Sequence, residues 1–167
     1  MIEDWMVLPF SEEQRGEFRN GGWRPWVRKY PKLFDERDAR NAAGQAARGY
    51  HFFEWLAAIV IFEQMGYRSL LAKYHFRAHL EKIEQFRRRV PGGVVDLFAQ
   101  PRRFGRTQGP DLFAYHDNGD WFFCEVKGPR DQLRPTQEAF FGALEDVSQR
   151  SVRLVRFFRL PGRGEGA

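Results

Sequence analysis

The 167-residue chain predicts an α/β layer fold: a mixed central sheet flanked by helices, with an N-terminal helical extension. Three observations carry that expectation. A helix apolar all round over 51–65 and an amphipathic helix over 77–89 give way to short apolar runs of strand type. Asn118-Gly119 sits between two such runs, a strong hairpin signal. The order from about residue 50 to 159 reads helix, strand, strand, strand, helix, strand, which suits layers of helix on sheet.

Each element has a local reason. Residues 1–33 read as an irregular arm punctuated by Gly21-Gly22 and Pro25. Their mixture of Trp23, Arg24, Trp26, Arg28, Lys29 and Tyr30 suits stacking on bases. The favoured reading is that the tryptophans dock on the domain. Asp35 is placed to cap a helix over 35–47 that stops at Gly49. The helix over 51–65 is apolar all round, from Trp55 to Phe62, so it belongs in the middle of the fold. Gly66 stops it. The helix over 77–89 has Leu80, Ile83 and Phe86 on one face, and Pro91 ends it. A strand follows at 94–98. The hairpin strands are 112–116 and 121–127. Pro135 opens the next helix, whose stripe is Phe140 or Phe141, Leu144 and Val147. A last strand covers 151–158, and the tail 161–167 reads as disordered. The resulting division is an arm and helical extension over 1–49, a main domain over 50–160, and the tail over 161–167.

Composition narrows the function classes. There are 27 Lys and Arg against 22 Asp and Glu, net +5, which favours encounter with polyanions. The single cysteine, Cys124, permits no internal disulfide and no thiolate zinc cluster. Acids near the N-terminus do not suit a signal peptide, and the longest apolar run is too short to span a membrane. A soluble, cytoplasmic protein is expected. His75 and His79 are four apart but lack an HExxH pattern, so a surface pair on a helix is expected. No phosphate-cradling glycine loop and no nucleophile elbow occurs.

The chemistry-bearing residues cluster at the hairpin. Gly109-Pro110-Asp111 precedes its first strand, and Glu125-Val126-Lys127-Gly128-Pro129 closes its second. Glu125 and Lys127 are two apart on a strand, so they share a face, about 7 Å apart along the chain. Burying that pair among phenylalanines without partners would be costly. A two-residue turn would pair residue 111 with 126 and put Asp111 on the wrong face. A three-residue loop, 117–119, pairs 111 with 125 and needs a left-handed glycine, which Gly119 supplies. Asp111 and Glu125 could then bridge one Mg²⁺ or Mn²⁺, an ion content with one or two carboxylates. The ion would polarise a phosphate and help form hydroxide, and Lys127 would offset the developing charge. Arg102, Arg103 and Arg106 before the site, and Arg130 and Arg134 after it, could grip phosphates.

These residues, with Leu112-Phe113, Asp131, Leu133 and Gln137, resemble the VRR-NUC domain, a branch of the PD-(D/E)xK nuclease superfamily. The resemblance is strong over 109–141 and looser, by element order, over about 50–159. It implies a restriction-endonuclease-like core and a divalent-metal-dependent nuclease acting on branched or flapped DNA in repair or recombination. It implies that Asp111 and Glu125 ligate metal with help from the Val126 carbonyl, that Lys127 is the catalytic lysine, and that Gln137 orients the site or touches substrate. It also implies a glutamate from the first core helix. Glu54 is the choice and Glu63 the rival. A homodimer is implied by the resemblance alone. Two other classes stay open: a DNA-binding module of the same fold that does not cut, and an assembly domain with an inert Glu-Lys pair. The choice of DNA structure, and of DNA over RNA, is open at this point.

Overall fold

Phenylalanine-rich strands leave two apolar sheet faces to cover, and different helices cover each. This computed structural model describes residues 2–71, 74–76, 78–100, 104 and 109–162. Five strands form one mixed sheet: β1 (Asp4–Phe10), β2 (Arg68–Leu71), β3 (Leu112–Tyr115), β4 (Trp121–Lys127) and β5 (Arg153–Arg159). Their spatial order is β1-β5-β4-β3-β2. β1 and β4 both run parallel to β5, while β4–β3 and β3–β2 are antiparallel. The protein is therefore α/β with a mixed sheet.

Alternation along the strands sorts the core into two halves. Leu112, Ala114, Phe122, Cys124 and Val126 pack with helix α4 (Phe52–Met65). Phe113, Tyr115, Trp121 and Phe123 pack with Phe86 of α5 (Leu80–Arg87), Val94 and Leu97 of α6 (Gly92–Phe98), and Phe140, Phe141 and Leu144 of α7 (Pro135–Ser148). α4 ends as its composition requires: Gly66 takes φ 76°, and its N–H returns to the Phe62 carbonyl at 2.9 Å. Pro135 stands first in α7. Among the described residues, no helix is long and apolar enough to cross a membrane.

Several expectations need correction. Residues 94–98 form helix α6, not a strand. Val94 and Leu97, three apart, are buried while Val95 is only partly so, which is a helical stripe hidden by β-branched composition. The strand that precedes the hairpin is instead β2, four residues long and too short to show a period. Residues 1–33 are not irregular. β1 lies at the sheet edge, where Pro9 is tolerated because an edge strand has a free side. Helix α1 (Glu12–Glu17) follows, capped by Ser11, whose Oγ accepts from the Gln14 N–H at 3.0 Å, and then α2 (Trp23–Lys29). The tryptophans do dock: Trp5, Trp23 and Trp26 all pack in the α4 half of the core. From the expected extension, Phe10, Phe18, Tyr30, Leu33, Phe34, Ala42 and Ala46 pack in that same core. The third predicted helix starts later than expected, and Leu80 at its first position is 70% exposed. Val147 is likewise exposed. Within the expected tail, 163–167 lie outside the described residues.

Helix α3 (Glu36–Gln45) is capped as predicted. Asp35 accepts from the N–H groups of Arg37 and Asp38 at 2.9 and 2.8 Å. Asp38 then turns inward to Lys82 at 2.6 Å, a pair 3% and 5% exposed, and Lys82 also donates to the Leu71 carbonyl at 3.0 Å. One ammonium thus ties α3, α5 and β2 together. Burial raises the Asp38 carboxyl to about 6, with Lys82 pulling the other way. Removing one partner strands a buried charge, so Lys82→Met should cost about 3–5 kcal/mol in urea unfolding. Adding Asp38→Leu to that variant should restore most of the loss. An unchanged midpoint for Lys82→Met would show that the tie carries no weight.

Candidate functional site

The hairpin register places Asp111. Leu112 pairs with Cys124, and Tyr115 with Trp121, so residue 111 falls opposite 125. The connection is the three-residue loop 117–119, closed by the His116 N–H to the Asp120 carbonyl at 2.8 Å, with Gly119 at φ 89°. The bend expected at Gly119 is present. Asp111 Oδ2 accepts the Val126 N–H at 2.8 Å, reaching across the end of β3. Two residues missed in the sequence reading hold the Gly-Pro-Asp turn. Tyr74 donates from its hydroxyl to the Pro110 carbonyl at 2.9 Å, and the Phe98 ring lies where a Cβ on residue 109 would go. Glycine at 109 is therefore a packing requirement.

Glu125 and Lys127 sit on β4, 2% and 8% exposed. Their strand lies between two others, which explains why so polar a pair is buried. Lys127 Nζ donates to Glu125 Oε1 at 2.7 Å, and Gln137 Nε2 donates to the same oxygen at 2.8 Å. Gln137 Oε1 in turn accepts from Lys127 Nζ and from the Arg134 N–H, each at 3.2 Å. Gln137 comes from the first turn of α7, so the helix start is stitched to the strand end. Glu125 Oε2 is buried and makes no hydrogen bond. An unsatisfied buried carboxylate oxygen is costly and calls for an account.

Glu54 comes from the first turn of α4, on the other side of the sheet. Of the two helix glutamates it is the one brought toward Asp111 and Glu125. Glu63 lies at the far end of α4, where it accepts from the Tyr30 hydroxyl and pairs loosely with Lys29. Glu54 and Asp111 line a cleft of about 150 Å³ with Trp55, His75 and Pro110. Each reaches solvent through the cleft mouth, yet protein surrounds most of each carboxylate. That enclosure is the main reason the Asp111 carboxyl is pushed well above its ordinary range, with Glu125 and Glu54 adding to it. The Val126 N–H and Lys127 act in the opposite direction. Glu54 is raised by burial first, then by Glu125 and by Asp131, a residue the sequence reading named for the resemblance but gave no role. Asp131 Oδ2 accepts the Gly128 N–H at 3.0 Å and so shapes the turn after Lys127.

These acids repel one another in an enclosed space, which a cation would relieve. The donor set is all carboxylate oxygen, the chemistry preferred by Mg²⁺ and Mn²⁺. The orphaned Glu125 Oε2 fits such an ion. The Val126 N–H is directed toward β3, and a strand residue sends its N–H and C=O to the same edge, so its carbonyl faces the Asp111 side as well. The ligand set is not pre-assembled: among the described residues no three His, Cys, Asp or Glu side chains already form a metal-binding group.

The remaining candidates divide. Arg130 and Arg134 are exposed in the loop between Lys127 and α7. Arg102, Arg103 and Arg106 lie outside the described residues. His75 and His79 do not share a helix face: His79 is the cap of α5 and His75 precedes it. Burial lowers His75 to about 4, leaving it neutral at pH 7. Cys124 is buried and its thiol is pushed up by that burial, so it offers no thiolate. No family model and no curated protein matches the chain.

A raised carboxyl binds its proton more tightly in the folded state, so it takes away stability as pH rises from the ordinary carboxylate range through the raised one. In metal-free buffer, wild type should lose stability relative to Asp111→Asn as pH climbs through that window. Parallel stability–pH curves for the two proteins would contradict this.

Proposed function

We propose that this protein is a divalent-metal-dependent nuclease that hydrolyses DNA phosphodiesters, a structure-selective endonuclease of repair or recombination. The observation that carries the reading is the meeting of Glu54, Asp111 and Glu125 beside the Lys127 ammonium, with one carboxylate oxygen left unsatisfied. The resemblance of the Gly109–Gln137 segment to VRR-NUC domains points to the same chemistry, and to a restriction-endonuclease-like arrangement of α4, the sheet and α7.

In this reading Asp111 and Glu125 hold Mg²⁺ or Mn²⁺, with Glu54 and the Val126 carbonyl assisting. The bound ion supplies a polarised phosphate and hydroxide near neutral pH. Gln137 keeps Glu125 Oε1 engaged, so that Oε2 is the oxygen free to ligate. Lys127, held against Glu125, presents positive charge where a phosphorane would gain negative charge. Arg130 and Arg134 meet neighbouring phosphates and set position rather than sequence.

The rival reading is a DNA-binding module of the same fold that does not cut. Cleavage of branched DNA in Mg²⁺ or Mn²⁺ separates the two. Asp111→Asn and Glu125→Gln should retain DNA binding while cutting at least about 10²-fold more slowly. Wild type that binds DNA and leaves it intact in both metals would hand the assignment to the rival. Metal ligands must be deprotonated, so the cleavage rate should rise with pH as the raised Asp111 and Glu54 lose their protons. More metal should move that rise to lower pH. A pH profile indifferent to metal concentration would count against these ligands. Gln137→Ala, which frees Glu125 to turn, should weaken metal affinity about 10–100-fold in a Mn²⁺ titration. Unaltered affinity would reduce Gln137 to a helix cap.

A further inference from the structure

Asn41 lines two cavities. One is the cleft of Glu54 and Asp111. The other is an open depression of about 390 Å³ lined by Arg37, Arg40, Asn41 and His79. Arg37, Arg40 and Asn41 are three and four residues apart on α3, so they share one helix face, while Asp38 and Ala42 fill the buried one. Arg37 Nη1 donates to the Ala78 carbonyl, which fastens the chain ahead of α5 to α3 and holds a guanidinium at the depression. Arg40 is exposed and makes no hydrogen bond or ion pair with any described residue.

The nearby acids do not neutralise this face. Asp35 is occupied by backbone N–H groups, and Asp38 by Lys82. Glu36, four residues before Arg40, forms no ion pair with it. A concave surface with two guanidiniums, an imidazole and an amide is suited to a tetrahedral oxyanion. It adjoins a cleft in which acids would hold a cation. An ion beside a phosphodiester needs a strand laid across the site, and that strand carries further phosphates on either side.

We propose that Arg37, Arg40, Asn41 and His79 bind a backbone phosphate of the nucleic-acid strand whose neighbouring phosphodiester lies at the Glu54–Asp111 cleft. The identity of the strand rests on the nuclease reading; the anion site rests on the depression itself. Arginines outside the segment resembling VRR-NUC domains thereby set where along a strand the cut falls.

The test is DNA binding by fluorescence anisotropy, with unphosphorylated ends and without divalent metal, over a range of salt. Arg40→Ala should weaken binding several-fold and lower the slope of log affinity against log salt by about one. Arg40→Lys should recover most of both. Arg159→Ala, on β5 and three strands away from β2, removes an equal charge and should leave the slope as in wild type. The Arg40 variants should melt with wild type, since Arg40 is exposed. If Arg40→Ala matches Arg159→Ala in affinity and slope, the phosphate site is overturned, and metal-dependent cleavage by wild type would still uphold the nuclease reading. If wild type does not cut but Arg40→Ala still loses binding, the nuclease reading fails and the phosphate site stands. Wild type that binds no DNA overturns both.

Discussion

The pairing register of β3 and β4 governs everything built at the cleft. One residue's slip would send every side chain of a strand to the opposite face. Asp111 would then leave Glu125 and enter the apolar half of the core beside Val126. Gly119 prevents this by taking a left-handed conformation at φ 89°, which sets the loop at three residues. A single backbone angle at one end of a hairpin thus decides which carboxylates meet at the other. The Asp111 bond to the Val126 N–H then fastens the free end of β3 to β4.

Around that register the protein tolerates an unusual density of buried charge. Glu125 and Lys127 are almost fully covered, and Glu54 and Asp111 are crowded by protein. Nothing in packing alone rewards such an arrangement, because apolar residues of similar volume often serve stability as well or better. The interior keeps these groups through specific hydrogen bonds: Lys127 and Gln137 on Glu125, the Val126 N–H on Asp111. Tyr74 and Phe98 support the Gly109–Pro110 turn from beneath. This is the pattern of a site held on rigid elements with an outer layer fixing its rotamers. The second buried pair, Asp38 with Lys82, makes a structural tie instead, since Lys82 donates both to Asp38 and to the Leu71 carbonyl.

What could be read from sequence was local. The Asp35 cap, the Gly66 stop, Pro135 at a helix start and the 117–119 loop each depend on residues within a few positions of one another. Glu125 and Lys127 could be placed on one face because strand alternation is also local. What could not be read was set by distant partners. Residues 94–98 carry strand-type side chains, yet Val94 and Leu97 enter the core shared with α7 and the sheet as one face of a helix. β2 is too short for a period, and β1 hides behind Pro9 because only an edge position forgives a proline there. The choice between Glu54 and Glu63 depended on which end of α4 meets β3. His75 and the α3 arginines reach the cleft region only through tertiary structure, so no spacing could have pointed to them there.

β1 bears on how the protein comes to be folded. Residues 4–10 lie alongside 153–159 in parallel, and among the described residues β5 is their one strand neighbour. On the ribosome the first strand must therefore wait, unpaired, until nearly 150 further residues have emerged. Such long-range closure is slow. During that interval the apolar segment carrying Trp5, Met6, Val7 and Leu8 is without its partner strand, and an unpaired apolar strand is a general hazard for association with other chains.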